Sequence, residues 1–571
     1  MESKTMLSRE YQKWVIISFA LASLGLLLSL NLFGVIDPSE GFYTEASREM
    51  LERREFLTPY LNFHTFFEKP IGIYWLIIGA YKLFGISEFA ARLPSALAAI
   101  ASALFTGYIL SKLHLRRVGF FSALVLLTMP LFGIVGRLSL TDMPLSACLS
   151  SSLLSIFYYA CTSANGHYLL LGYFLLALAV LIKGPIAIVL VVAIILLKQL
   201  IGAAVAPSAV LSSNHSAASA KPPFADYFFK LFAGLSSFGV FSALAIIMAV
   251  NLPWYLYECV HTRGAFFQEF FVRQHFSRLQ GALSHQEPWY FYLVVFAVGT
   301  LPWTSFLTGF VSPVRQLFGP ATRIRSRLVR FSMVWIAVIL TAFSLSSAKL
   351  ATYIVPCAVP MSVLVAISMD YLIRLGKTSR IVLSASIANF ILLAAPVGAA
   401  LLFRFRCDRN DLLVLALSLA IAPFVTFFAH RARRSAQVLT ISVCGLSLGI
   451  TASLAASLHC YDEVKNRSLR SLYRTVAAQN SSVGSFLRFA PGSLFYVRKP
   501  INSLSTVDDY LRFVRDTPAP HVLIAESSVS DLLPAVCPGL RKVKDEGEYS
   551  LLEVSTAPIS VQSSQSEHIP K

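Results

Sequence analysis

Thirteen stretches of roughly 20 mainly apolar residues recur along this chain, and a helix needs about that length to cross the hydrocarbon core of a bilayer. They cover residues 14–36, 93–113, 118–135, 143–160, 168–182, 185–201, 232–252, 289–310, 331–345, 353–373, 381–403, 412–429 and 436–458. In lipid every backbone polar group must be bonded inside the protein, so these stretches fold as helices. With 56% of its 571 residues hydrophobic and 14% charged, the chain cannot be a soluble protein of this size.

The first stretch has an apolar run longer than a signal peptide's and no small-residue cleavage site before Asp37, so it reads as a retained helix. A net charge of +18 would point to nucleic acid in a soluble protein; here the connections between spans explain it, and no nucleic-acid partner is expected. Lys/Arg-rich connections stay cytoplasmic. The basic ones are the N-terminus, 112–117, 315–330, 374–380 and 431–434, and with thirteen spans all five fall on one side. Arg404, Arg406 and Arg409 alone dissent. The loop 37–92, the loop 253–288 and everything after Leu458 then lie outside.

The expected fold is a membrane all-α domain of about thirteen transmembrane helices, residues 1–458, with amphipathic helices on its outer face. The first outer loop carries a helical pattern over 43–54, a turn around Pro59 and an amphipathic run over 71–84. Residues 207–223 have the small polar composition of a cytoplasmic linker. After Leu458 the composition turns soluble, with strand-like runs at 493–497, 521–525 and 549–554 and a helix-like run at 507–515. This predicts a small α/β domain over 459–556, followed by a disordered tail, 557–571. The eight cysteines show no metal spacing; Cys460 and Cys537 share the outer tail, where a disulfide and two free thiols are both open.

Three constellations sit on the outer side. The first is DPSEGFYTEASREM, with Asp37, Glu40 and Tyr43 where the chain leaves the membrane. Surface charges ending a helix would look the same, yet a carboxylate there can act as a base while facing a lipid-anchored donor. The second is Glu68-Lys69-Pro70: adjacent opposite charges are usually a solvated pair, but an ammonium at membrane level needs an anion, a lipid phosphate is one, and Glu68 would bind a metal or orient the lysine. The third, Phe271 to Gly281, puts Arg273, His275 and Arg278 within two helical turns, followed by His285, Glu287 and Trp289. Arginine matches phosphate oxygens bidentately, although a basic stripe meeting anionic headgroups has the same composition. Arg137, Asp142, Lys183, Lys349 and Tyr353 add ionisable groups at outer helix ends, where simple snorkelling is the plain alternative.

These residues, in order DPSEGFYTEASREMLERREFLTPYLN, FEKPIGIYWL, SEFAARLPSAL, KGP, RQHFSRL, HQEPWYFYL, GTLPW and SAKLATYIVP, resemble a known superfamily. The chain is similar, over roughly residues 14–370, to the bacterial aminoarabinose-transferase and protein-mannosyltransferase-like membrane glycosyltransferases of glycosyltransferase-C type. FEKP, the His-x-x-Arg of His275 to Arg278 and HQEPWYFY fit the aminoarabinose branch better than the protein O-mannosyltransferases. The resemblance implies inverting transfer of a sugar, such as 4-amino-4-deoxy-L-arabinose, from undecaprenyl phosphate or a similar carrier to lipid A or lipopolysaccharide at the periplasmic face of the bacterial inner membrane. It associates Glu68, Lys69, His275 and Arg278 with the carrier phosphate and a divalent metal (Zn or Mg/Mn). Glu68 and His275 are its candidate metal ligands. One departure matters: the family commonly has Asp-Glu four and three residues before the motif tyrosine, where this chain has Ser39 and Glu40. Three alternatives are then open: Asp37 substitutes for the missing Asp, Glu40 acts alone, or the protein has drifted in activity.

In the expected mechanism Lys69 and Arg278, with Tyr43, Arg137, Asp142, His285, Lys349 and Tyr353 around them, hold the carrier phosphate and sugar. Asp37 or Glu40 activates the acceptor. No nucleotide-sugar fold or Gly-rich phosphate loop is present in the sequence, so no nucleotide cofactor is expected and the donor arrives on lipid. A transporter or flippase would place its ionisable groups near midplane in repeated halves, whereas here they lie at outer helix ends. A transferase acting on protein Ser/Thr differs only in its acceptor pocket.

Overall fold

The computed structural model describes residues 2–162, 166–205, 239–277, 287–309, 323–346, 348–375, 435–486, 490–537 and 539–555. The expected spans 381–403 and 412–429, the linker 207–223, the tail 557–571, Arg278 and His285 lie outside the described residues. Among those described, seven helices are long and apolar enough to cross a membrane, and four more are apolar but shorter. The chain is a multi-pass, mostly helical membrane protein.

Helix α1 (Glu2–Leu28) leads through a 3₁₀ turn into the first outer segment. That segment holds α2 (Ser39–Arg53), a two-stranded hairpin of β1 (Tyr60–Leu61) with β2 (His64–Thr65), and α3 (Gly72–Phe84). Then come α4 (Glu88–Lys112), α5 (Arg116–Thr128), α6 (Pro130–Val135), α7 (Asp142–Thr162), α8 (His167–Lys183) and α9 (Ile186–Val205). Helices α10 (Val240–His261), α11 (Phe291–Thr300), α12 (Ile324–Ser344), α13 (Ala358–Leu375) and α14 (Ser435–Lys465) complete the described membrane part.

Two expected spans are interrupted. The stretch 118–135 breaks between α5 and α6 because Met129, preceding Pro130, is extended at ψ 126. Proline's ring crowds the residue before it out of the helical region. The stretch 289–310 stops at α11 for the same reason, with Leu301 at ψ 150 before Pro302. Small side chains line the buried face of α4 (Ala90, Ala91, Ser95, Ala96, Ala99, Ser102, Ala103), which lets neighbouring backbones approach where lipid supplies no hydrophobic drive.

After α14, helix α15 (Arg467–Ala477) leads into a five-stranded sheet in the order β4-β3-β5-β7-β6. Strands β3 (Ser482–Ser485), β4 (Ile501–Ser503) and β5 (His521–Glu526) run parallel; β7 (Tyr549–Val554) pairs antiparallel with β5 and with β6 (Leu540–Glu546). Helix α17 (Val507–Asp516) starts at a capping box of Thr506 and Asp509. The run 493–497, expected as a strand, is instead helix α16 (Pro491–Val497), because Pro491 at its first position fixes a helical φ and lacks the N–H that would go unpaired there. Cys537 is a buried free thiol, so a Cys460–Cys537 bridge does not form.

The sheet region rests on the first outer segment. Val35 N–H donates to the Tyr496 hydroxyl at 2.9 Å, and that hydroxyl donates to Glu88 at 3.0 Å. Asn62 and Ile501 exchange two bonds of 3.1 Å, side chain to backbone.

Candidate active site

Glu40 opens α2 and is 1% exposed. Both its oxygens meet Arg92 of α4 at 2.7 Å. They also accept Ile36 N–H at 2.8 Å and Ser139 N–H at 2.9 Å. Arg92, itself fully buried, donates to the carbonyls of Leu30, Phe33 and Gly34 where α1 ends. The pair thus ties α1, α2, α4 and the turn before α7 together. A carboxylate accepting four donors has no lone pair left for a proton in flight, so this geometry makes Glu40 a staple.

Asp37 lies elsewhere. Its Oδ1 accepts Gly492 N–H at 2.6 Å, which makes it a cap for α16 supplied from the far side of the sequence. A Cβ at Gly492 would come within 2.7 Å of Asp37 Oδ2, so only glycine admits this approach. Burial pushes the Asp37 carboxyl up to about 6, opposed by the Gly492 bond and assisted by the Glu40 charge.

The remaining residues converge. Lys69 bonds Glu68 at 2.7 Å, and Lys183, the last residue of α8, bonds Asp142, the first of α7, at 2.6 Å. The Lys183 ammonium stands 4.4 Å from the Tyr353 ring centroid. Burial drives the Tyr43 phenol well above its usual range, and Glu68, Tyr74, Asp142 and Tyr353 around it push the same way. Tyr43 and Tyr74 have ring centroids 6.1 Å apart. Close by, Lys349 donates to the Glu287 carbonyl at 3.0 Å and the Tyr292 hydroxyl accepts Leu350 N–H at 3.1 Å. Gly72 seats α3 against α8: a Cβ there would meet the Leu181 carbonyl at 2.7 Å. The first outer loop, α7, α8 and the segment before α13 therefore bring together Lys69 and Lys183, Glu68 and Asp142, and the three tyrosines Tyr43, Tyr74 and Tyr353.

A cavity of 850 Å³ lies on the same helices, walled by apolar side chains of α3, α4, α7 and α8, and none of the cluster's charged or phenolic side chains lines it. Gly72, Pro144 and Ile182 line it, three, two and one residues from Lys69, Asp142 and Lys183. The second outer segment packs onto the FEKP turn from the other side, with Phe266 and Phe67 ring centroids 5.7 Å apart. Thr58 donates to Glu258 at 2.9 Å there. A helical turn at Ala265–Phe267 continues as a π-helical segment, Gln268–Ser277, that carries the backbone of His275.

Arg137 does not join the cluster. It is 1% exposed and donates to Ser29, the Gly133 carbonyl and the Thr451 carbonyl, bracing α6 against α1 and α14. As for a divalent metal, Glu68 offers a carboxylate already bonded to Lys69, and among the described residues no three His, Cys, Asp or Glu side chains converge as a ligand set. Sequence reasoning missed Arg92 and Gly492, since nothing local marks an arginine or a glycine as the partner of a carboxylate 52 or 455 residues away.

A sequence model of the dolichyl-phosphate-mannose-protein mannosyltransferase family matches residues 68–214. The undecaprenyl phosphate-alpha-4-amino-4-deoxy-L-arabinose arabinosyl transferase of Yersinia enterocolitica is 29% identical over 348 residues, 60% of this chain and 56% of that protein. The protein of the same name from Aeromonas hydrophila is 30% identical over 360 residues, 62% and 59% of the two chains. The matches thus span under two thirds of these relatives' length. In fold, the crystal structure of ArnT from Cupriavidus metallidurans bound to undecaprenyl phosphate superposes with a TM-score of 0.74 at 19% identity, covering 96% of this chain and 99% of that one. Its apo form gives 0.75 at 18% identity. The chain is thus similar in sequence, over part of its length, to the dolichyl-phosphate-mannose-protein mannosyltransferase family and to these arabinosyl transferases, and it shares the fold of the Cupriavidus metallidurans ArnT.

Proposed function

We propose that this protein is an inverting glycosyltransferase that moves a sugar, 4-amino-4-deoxy-L-arabinose or a related one, from undecaprenyl phosphate to lipid A or lipopolysaccharide. It works at the periplasmic face of the bacterial inner membrane, with the sheet region 459–556 on the same side. The observation that carries this reading is the meeting of the Glu68–Lys69 and Asp142–Lys183 pairs with Tyr43 and Tyr353 at the ends of helices whose neighbouring residues, Gly72, Pro144 and Ile182, line an apolar cavity. A lipid phosphate needs such a place: cations for its head and an apolar wall for its tail.

In this reading Lys69 and Lys183 take the phosphate, joined by Tyr43, Tyr353, Lys349, Arg278 and His285. As the bond from the anomeric carbon to the phosphate oxygen breaks, the ammonium groups offset the charge growing on the leaving phosphate. That leaving group is already a weak base, so no strong general acid is required. When the phosphate draws Lys183, the Asp142 carboxylate is freed to accept the acceptor's proton as its oxygen attacks the opposite face of the sugar. Asp142 thus takes the role first expected of Asp37 or Glu40. A divalent ion at Glu68 and His275 would add charge to the phosphate side when bound.

The test is turnover by purified protein with undecaprenyl phosphate-linked aminoarabinose and lipid A, read by mass spectrometry. Asp142→Asn is expected to lower kcat at least 100-fold, within the range of losing a general base. Lys69→Ala raises KM for the donor. Full activity in both variants, or a lipid A, core and surface glycoprotein profile unchanged by deleting the gene, would overturn the reading. A change confined to surface glycoprotein would indicate a protein acceptor.

A further inference from the structure

Tyr74 is buried to 0% exposure on α3, and its hydroxyl has no hydrogen-bond partner among the described residues. Buried hydroxyls are nearly always bonded, so an orphan one calls for a reason, and an absent ligand is among the common ones. The surroundings say what kind. Tyr74 lies one turn beyond Lys69 and two residues after Gly72, which is pressed against α8 and fixes the helix's rotation. Its ring neighbours that of Tyr43, and the Glu68 carboxylate acts electrostatically on both phenols. The hydroxyl therefore belongs to the polar cluster, although it stands on a helix that otherwise faces the apolar cavity through Trp75, Leu76, Gly79 and Ala80. Both carboxylates of the cluster are already bonded to lysines. A group that completes Tyr74 must bring its own acceptor oxygen to the boundary between charged head and apolar tail. A lipid-linked phosphate has such oxygens at that boundary.

We infer that Tyr74 is a positioning residue whose hydroxyl donates a hydrogen bond to the phosphate of the lipid carrier. The inference rests on the proposed function. It explains why a tyrosine stands where phenylalanine would fill the same space without an unpaired hydroxyl. Donation to an ionised phosphate strengthens the bond relative to a neutral acceptor.

The experiment measures Kd for undecaprenyl phosphate and the melting temperature of full-length protein for Tyr74→Phe, with Lys69→Ala alongside. Tyr74→Phe is expected to weaken binding about tenfold or more, the range for a hydrogen bond to a charged group. Its melting temperature without ligand should hold or rise, because an unsatisfied buried hydroxyl has been removed. Unchanged Kd with a raised melting temperature would make the hydroxyl an inert orphan, and unchanged Kd with a lowered one would mean that a protein group satisfies it; either overturns the inference. Lys69→Ala separates the two readings: if it binds the carrier normally, the phosphate site itself is misplaced, whatever Tyr74 does. A phenylalanine variant that melts too low to assay likewise means that a protein group satisfies the hydroxyl, and overturns the inference.

Discussion

Glu40→Gln asks whether a buried carboxylate at the head of the acidic segment reacts or holds. In the structure it holds: two bonds of 2.7 Å to Arg92, and one each from Ile36 and Ser139 N–H. The amide variant keeps the shape, but it leaves the Arg92 guanidinium in a site with 0% exposure, its bonded counter-charge gone and only the weaker influence of Glu88 remaining. Removing one partner of a buried pair typically costs about 3–5 kcal/mol, since the other charge stays desolvated. At a few degrees per kcal/mol for domains of moderate size, that is a fall in melting temperature on the order of 10 °C. Arg92→Met alone should cost a similar amount. The double variant should lose at least about 2 kcal/mol less than the sum, because no lone charge remains. Melting followed by tryptophan fluorescence in detergent, with donor Kd measured below the transition, reads all three. If Glu40→Gln melts like the unaltered protein and loses turnover 100-fold, the carboxylate reacts and the staple reading is refuted.

Two further predictions concern the joint between the sheet region and the membrane part. Gly492→Ala puts a methyl 2.7 Å from Asp37 Oδ2 and should lower the melting temperature by an amount equivalent to about 1–3 kcal/mol, the usual cost of overpacking. Faster proteolytic release of the C-terminal region should accompany it; unchanged melting and proteolysis would show that the contact is not tight. Asp37 has a folded-state pKa of about 6 against an ordinary 3.8, so its contribution to stability is present below the lower value and is lost as pH rises through 6. Asp37→Asn keeps an oxygen for Gly492 N–H and removes that loss. Its melting temperature should exceed the unaltered protein's at pH 7.5 by at most the equivalent of about 3 kcal/mol, with no gain at pH 4. An equal deficit at both pH values would show that the charge is not what matters.

What the sequence made legible, and what it did not, follows from the range of the interactions involved. Apolar stretches and turn chemistry are local, so α4, α7, α10 and α14 are readable as spans and Pro59 marks a turn, whereas the helix that starts at Pro491 reads as a strand in the sequence. Prolines inside apolar stretches were readable too, yet hydropathy averaged over Pro130 and Pro302 and concealed the breaks they cause. Lys69 and Tyr353 could be singled out because an ammonium or a phenol at membrane level must find a partner of some kind. Which partner it finds is a tertiary fact. Asp37, Glu40 and Tyr43 occupy seven residues of sequence, and the fold sends them in three directions: Asp37 to the cap of α16, Glu40 to Arg92, and Tyr43 to the lysine cluster. Positions 40 and 43 lie on neighbouring faces of α2, with 37 in the turn before it, so proximity along the chain carried no information about a shared task. Lys183 shows the converse. It looks like an ordinary cation ending a helix, and its role is set by Asp142, 41 residues earlier, which begins the helix beside it. Asp142, paired with Lys183 at a helix junction, thus joins Glu68 beside the lysines, whereas Asp37 and Glu40 are held by Gly492 and Arg92 at joints of the fold.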